Sequence, residues 1–462
     1  MTTVNTLNKK SPIGDDKHFY RTFRTLTEQL NKSFVNSTPL VSVGGRAFTI
    51  NETVAAATLA KIHMYFLGSR GSGKTLLSET IKLSIFNDEG LYLRGDVNMQ
   101  LKDLFIKLNL DGRTEQEVYQ IADKIKYRFS LIDELNRVPG IIQNQFLNMV
   151  DGYIEIRGVK YKLGIDDYLL VVATGNPPTN GDYTGVFDED LALLDRIPLI
   201  INFDEVPLGN GDVHDIINSG VNKNTITLGN RVDDILIAYG YLTNKMKEDK
   251  EMRITRALLT EIVYDIFRYV QVGNDRIDKA VAPTWREIIG GQHSAGLTMS
   301  YCSDISVRTL QSAGRFATAL FELATTEAEA MKKAGITQED VGSMDFVKAF
   351  LDAVKLALNY DRRFIPTDLP AQFNMTHAEF INRAFDDAFS VIASNNMQTF
   401  ETMALLLLEF DEAYEKNDKA KMDNLVKMAA KTKDLRYAYN IMKKNIDEIE
   451  QKEIMKKIES YL

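Results

Sequence analysis

The spacing of apolar positions changes several times along the chain. Phe19, Phe23, Leu26, Leu30 and Phe34 recur every three to four residues, which predicts an amphipathic helix that Asp15 or Asp16 could cap. Residues 1–15 before it are polar and predict a flexible arm. A turn-rich stretch at 42–46 follows, and Asn51 then stands where it could cap a short helix running to Ile62. Short apolar runs appear at 64–67, 91–93, 129–132, 169–173 and 198–203, several of them separated by helical patterns. Strands alternating with helices predict a parallel sheet covered on both faces. Over 153–161 apolar and polar residues alternate around Gly158, the pattern of a β-hairpin. Beyond about Val206 the strand pattern fades. Residues 213–360 read as helices joined by polar turns, with a break at 335–340 where Thr337 is placed as an N-cap. A second helical block runs from about His377 to the end, and its part at 416–462 mixes both charge signs in the manner of solvated helix faces.

Composition narrows the class. The 462 residues leave room for two to four domains, and 44% apolar residues permit a sizeable core. The net charge of −9 argues against a protein built to coat nucleic acid, although it leaves room for a local basic pore. Cys302 is the only cysteine, so no intramolecular disulfide can form, and the five histidines are scattered without metal-ligand spacing. The N-terminus lacks the apolar segment of a signal peptide, and the longest apolar run, at 403–408, is far below the ~20 residues a bilayer span needs. The expectation is a soluble, cytoplasmic protein with no membrane span.

Two segments carry chemistry. Gly68, Ser69, Arg70, Gly71, Ser72, Gly73, Lys74 and Thr75 fit the phosphate-loop pattern G-x-x-x-x-G-K-[ST]. The loop lies between an apolar strand at 63–67 and a helical pattern that places Leu77, Ile81 and Ile85 on one face. Its glycines let backbone N–H groups curl around phosphate oxygens, and the helix N-terminus adds a favourable dipole. Lys74 would neutralise β- and γ-phosphate charge, and Thr75 would ligate Mg²⁺, so ATP and Mg²⁺ are the expected ligands. Downstream, the apolar run from Phe129 ends in Asp133 and Glu134. Asp133 would hold Mg²⁺, and Glu134 would orient or deprotonate the attacking water. The competing readings are a chance glycine-rich turn and a strand end with two solvated acids.

Three elements occur in order: D-E-L-N-R at 133–137, V-V-A-T-G-N-P-P at 171–178 and A-L-L-D-R at 192–196. This succession resembles the MoxR-like AAA+ ATPases, over about residues 20–360 and most specifically over 63–200. The resemblance implies an α/β fold: a P-loop AAA+ parallel five-stranded sheet with helices on both faces, plus an all-helical lid. A helical C-terminal region without a motif completes the chain. The implied division is an arm and helix at 1–35, a nucleotide domain at 36–206, a lid at 207–360 and the extra region at 361–462.

The resemblance also implies roles. Asn176 would be sensor 1, positioning water or reporting hydrolysis. Arg196 would be the arginine finger that reaches a neighbouring subunit's nucleotide. A turn asparagine before Pro177 and a salt bridge of Arg196 with Asp195 or Asp190 are the plainer alternatives. Arg137 falls near a subunit interface. Sensor 2 maps to Arg308, in Ser306-Val307-Arg308, which lacks the family's proline; Arg286 and Arg315 compete for the role. Val43 and Gly44 lie where the family contacts adenine, although Gly45 and Arg46 depart from the residues that usually follow. The hairpin at 151–163 matches an insertion that faces the central channel or the partner, and 335–341 resembles a turn late in the family lid.

The implied function is ATP hydrolysis by a hexameric homo-oligomeric ring. It would be coupled to chaperone-like remodelling or activation of a protein client, in relatives often a von Willebrand A domain protein. A nucleic-acid-directed AAA+ motor, a nucleotide-gated scaffold with slow turnover and a small-molecule kinase are the rivals. The acidic balance, Glu134, and the pair Asn176 and Arg196 weigh against them in turn. ATP is not separated from GTP by these residues.

Overall fold

Asp15 ends the polar arm and starts the first helix, because its carboxylate accepts the backbone N–H of His18 at 2.7 Å. The computed structural model describes residues 14–95, 105–108, 119–156, 158–176, 190–219, 226–267, 269–272, 275–278, 305–336, 340–359, 364–365, 369–385, 397–432 and 435–459. Thr337 and Arg286 lie outside them. The chain forms two compact units, one from 1–245 with 312–360 and the other from 246–311 with 361–462.

In the first unit, helix α1 (Asp16–Asn31) buries Phe19, Phe23, Leu26 and Leu30. The turn-rich stretch is a two-stranded hairpin, Pro39–Val43 with Arg46–Thr49, reversed at Gly44 and Gly45, both with positive φ. Helix α2 (Ile50–Leu59) follows and packs on α1 with all ten residues buried. Its cap is Thr49 and not Asn51. Thr49 and Glu52 form a reciprocal box that satisfies two backbone donors at once. Asn51 falls inside the helix and donates to Asn31 Oδ1 and the Phe34 carbonyl, both at 2.7 Å.

The five apolar runs form one sheet: β1 (Met64–Leu67), β2 (Gly90–Arg94), β3 (Phe129–Asp133), β4 (Leu170–Gly175) and β5 (Leu199–Asn202). Their order is β5-β1-β4-β3-β2 and every pair is parallel. Strands β1, β3 and β4 are buried throughout, as unbroken apolar runs require in a sheet covered on both faces. β2 forms an edge and alternates, with Leu91 and Leu93 buried and Tyr92 and Arg94 exposed. The strand order reverses beside β1, so a crevice opens at the carboxyl ends of β1 and β4. Helix α3 (Lys74–Thr80) leaves the end of β1 and continues as a π-helical turn, Ile81–Ile85. Leu77, Ile81 and Ile85 are fully buried on one face. The β-hairpin appears as Tyr153–Ile156 with Val159–Lys162, turned at Gly158 with φ +77°.

His63, at the start of β1, is partly buried, and its Nδ1 accepts the Val171 N–H at 3.0 Å. Burial first, and the nearby Lys61 charge second, push its imidazole down to about 3 from an ordinary 6.5. The folded chain therefore holds His63 neutral where the unfolded chain would protonate it. The stability this provides is complete above about pH 6.5 and is lost as pH falls from there toward 3. Between pH 6.5 and about pH 5 urea unfolding should lose about 1.5 kcal/mol. His63→Gln should flatten that slope, and an unchanged slope would assign the acid sensitivity to other groups.

In the second unit, helix Lys250–Ile266 packs against Met397–Glu415 and Arg436–Glu459, with Lys419–Ala429 completing the group. Arg253 pairs with Asp411 at 2.6 Å, and Lys250 with Glu415. The charged stretch after 416 is solvated on most of its surface, burying only stripes such as Met422, Leu425 and Met442. A two-stranded hairpin, Tyr269–Val272 with Asp275–Asp278, interrupts the region expected to be helical throughout. A four-residue strand is too short to show a period. No helix among the described residues is long and apolar enough to cross a membrane.

Candidate phosphate-binding site

The loop between β1 and α3 is shaped by its glycines. Gly68, Gly71 and Gly73 have φ of +149°, +83° and +93°. A Cβ on Gly73 would lie 2.7 Å from the Phe34 ring, so that position is closed to other residues by both backbone and space. Lys74 opens α3 and turns back across the loop. Its amine donates to the Gly68 carbonyl at 2.6 Å, the Ser69 carbonyl at 2.7 Å and Ser72 Oγ at 3.2 Å. Burial lowers its pKa, partly opposed by the charges of Asp204, Asp133 and Glu134. A lysine 7% exposed among carbonyls, with three carboxylates near, is a cation set for an anionic partner.

The ends of β3 and β4 supply the acidic side. Asp133 Oδ1 accepts the Thr174 hydroxyl at 2.6 Å and lies 3.5 Å from Thr75 Oγ1. Its Oδ2 accepts the Tyr92 hydroxyl at 2.9 Å. Partial desolvation of its hydroxyl and then that acceptor push the Tyr92 phenol up to about 12, so it stays a donor at neutral pH. Glu134 has a left-handed backbone, φ +58°, held by its N–H on Thr174 Oγ1 at 3.0 Å. Its carboxylate pairs with Arg137 at 3.0 Å and more loosely with Arg94 at 3.8 Å. Asn136 donates to the Asn176 carbonyl at 2.8 Å, which ties the two strand ends together.

Glu134 Oε2 and Asn136 Oδ1 are buried acceptors without a hydrogen-bond donor among the described residues. Native structures rarely leave such atoms unmet, and a bound water is the usual remedy. Thr75 and Asp133 bring a hydroxyl and a carboxylate together. No group of three or more His, Cys, Asp or Glu side chains suited to a metal occurs among the described residues. That combination fits Mg²⁺, which takes one or two carboxylates and completes its shell with phosphate oxygens and water.

The remaining sequence-derived positions separate by place. Val43 is buried, and Gly44 lies so close to Val341 that an added Cβ would be 2.8 Å from its Cγ2. Arg308 is exposed on the first turn of helix Val307–Lys333, in the second unit, and Ser306 Oγ caps that turn by accepting the Thr309 N–H at 3.1 Å. Arg315 acts electrostatically on Lys61, His63 and Asp167, at the start of β1. That is the edge opposite the phosphate loop.

Arg196 also stands at that opposite edge. It follows helix α5 (Leu191–Leu194) and precedes β5, whose first residue, Leu199, pairs with Met64 at the start of β1. Its Nε meets Asp151 Oδ2 at 2.9 Å and its Nη1 donates to the Ala192 carbonyl at 2.8 Å. The ion-pair partner is thus Asp151, rather than the Asp195 or Asp190 named from the sequence.

Four site neighbours were missed in the sequence. Thr174 lay inside a recognised element without an assigned role. Tyr92 and Arg94 are the exposed positions of an alternating strand and reach the site because that strand is the neighbour of β3. Asp204 accepts the Ser69 N–H at 2.8 Å and the Ser69 hydroxyl at 2.8 Å, steadying the start of the loop. Its only signal was being the first acid after the last apolar run.

No family model matches the chain, and no curated protein matches it. Among solved structures the chain is similar to a candidate ATPase from Cytophaga hutchinsonii, with 16% identity, TM-score 0.51, and coverage of 80% of this chain and 96% of that one. A full-length MCM homologue from Methanopyrus kandleri matches with 15% identity and TM-score 0.40, over 76% of this chain and 64% of that one. At such identities the likeness is one of architecture: the five-stranded parallel sheet with flanking helices is the AAA+ α/β fold.

Proposed function

We propose that this chain binds and hydrolyses ATP with Mg²⁺ as a subunit of an AAA+ ring of the MoxR-like kind, and that hydrolysis remodels or activates a protein client. The observation that carries the reading is the convergence on Asp133 of Thr75, from the phosphate loop, with Thr174 and Tyr92 from the two strands flanking β3. Lys74 and the loop N–H groups bind the phosphates. Thr75 and Asp133 would hold Mg²⁺, which would neutralise phosphate charge when bound. Glu134 takes the proton of the attacking water, with Asn176 orienting that water from the adjacent strand end. Val43 and Gly44 line the base, and Arg308 keeps the sensor 2 role that the family resemblance gives it.

Support for a ring comes from Arg196. A guanidinium at the strand-start edge is a poor partner for its own chain's phosphate loop at the strand-end edge, and a neighbouring copy removes that distance. A hexamer, and a client such as a von Willebrand A domain protein, follow from the family resemblance. The net charge of −9 favours a protein client over nucleic acid.

The first test is binding. Lys74→Ala should weaken Mg-ATP binding about 10- to 100-fold, the loss of a charged hydrogen-bond donor to phosphate. Fluorescent-nucleotide titration of the full chain measures it, and wild-type affinity in the variant would remove the phosphate-loop assignment.

A further inference from the structure

A single helix joins Glu134 to the hairpin. The short turn Leu135–Arg137 leads into α4 (Gly140–Val150), and Asp151 ends that helix. Gly152, with φ +85°, then turns the chain into the strand Tyr153–Ile156, and the Leu163 N–H closes the hairpin base on the Gly152 carbonyl at 2.8 Å. Two polar links tie α4 to the segment that carries Arg196. Gln143 Oε1 accepts the Asp190 N–H at 2.6 Å, and Asp151 holds Arg196 at 2.9 Å. Between the links, Leu193, Leu194 and Ile197 share one buried cluster with Phe146, Met149 and Ile154. The hairpin base, α4 and the Arg196 segment are packed as one body.

We propose that Asp151 restrains Arg196, and that engagement of the hairpin frees it, so that client contact on one subunit sets hydrolysis on the next. The proposal rests on the ring reading above. With its Nε edge on Asp151 and Nη1 on the Ala192 carbonyl, Arg196 has much of its donor fork committed within its own chain. The Asp151 carboxylate also opposes the approach of a phosphate. The two side chains are 20% and 31% exposed, so the pair is weak enough for a small shift of the hairpin base to break.

The test uses steady-state hydrolysis by the full-length protein across ATP concentrations. Asp151→Asn keeps the shape and removes the charge. It should raise kcat about two- to five-fold, the range in which a partly exposed ion pair acts, with KM unchanged. Asp151→Ser, a second uncharged side chain, should do the same if the first variant folds poorly. Asp151→Glu, which keeps the charge, should stay closer to wild type than either. In an Arg196→Ala background the rise should vanish. A merely structural cap would instead lower kcat and the thermal midpoint together. A kcat in both uncharged variants at or below wild type, or a rise that survives without Arg196, overturns the restraint. Arg196→Ala at full activity would instead remove the finger, and with it the ring reading.

Discussion

Replacing Arg196 with alanine should lower phosphate release about 10³-fold or more while Mg-ATP binding stays near wild type. An arginine finger acts on charge that develops as the γ-phosphate departs, and its removal costs roughly 10³–10⁵ in rate in P-loop systems. Binding is spared because Lys74, Thr75 and Asp133 of the same chain are untouched. Lys74→Ala should be inactive for the opposite reason, having little nucleotide of its own. A ring that mixes the two variants contains interfaces where an Arg196→Ala subunit holds ATP beside a Lys74→Ala subunit that still offers its arginine. Mixed under exchange conditions, the pair should release phosphate above both parents. Fully active protein that stays monomeric across concentrations by light scattering would end the ring reading.

Glu134→Gln should bind Mg-ATP and turn it over about 100-fold more slowly or worse, as for a lost general base. The substitution preserves shape and removes charge and basicity. The backbone gives the residue added weight. A non-glycine side chain at φ +58° carries strain of about 1 kcal/mol or more, and such strain collects at functional positions. Removing the charge also releases Arg137 and Arg94, so a second, smaller change in nucleotide release should accompany the slow chemistry. Single-turnover hydrolysis separates the two, and near-normal turnover would assign water activation to another residue. The same variant, locked with ATP, should retain the client during purification.

The sheet was legible in the sequence because strands buried on both faces read as unbroken apolar runs, and β1, β3 and β4 are of that kind. The phosphate loop was legible because positive φ at Gly68, Gly71 and Gly73 admits glycine almost alone. What was not legible depended on partners distant in the chain. Asp204 is 135 residues from the Ser69 N–H it steadies, and only the adjacency of β5 and β1 brings them together. Tyr92 matters because β2 pairs with β3, which alternation alone cannot reveal. Arg308 and Arg315 lie on one long helix, yet Arg315 acts at the strand-start edge, opposite the phosphate loop. The Thr49 box outcompeted Asn51 because it satisfies two donors and an interior asparagine would satisfy one.

Helix Lys250–Ile266 finds its packing partners in Met397–Glu415 and Arg436–Glu459, well over a hundred residues later. During synthesis the first unit has all its segments once residue 360 has emerged, whereas 246–311 must wait for the final hundred residues. In that interval the apolar face of Lys250–Ile266, with Leu258, Ile262 and Val263, is without the helices Met397–Glu415 and Arg436–Glu459. Truncation at 360 would make the wait permanent. A shortened chain should therefore be recovered bound to folding helpers or as aggregate, even though every residue assigned to nucleotide chemistry is still present.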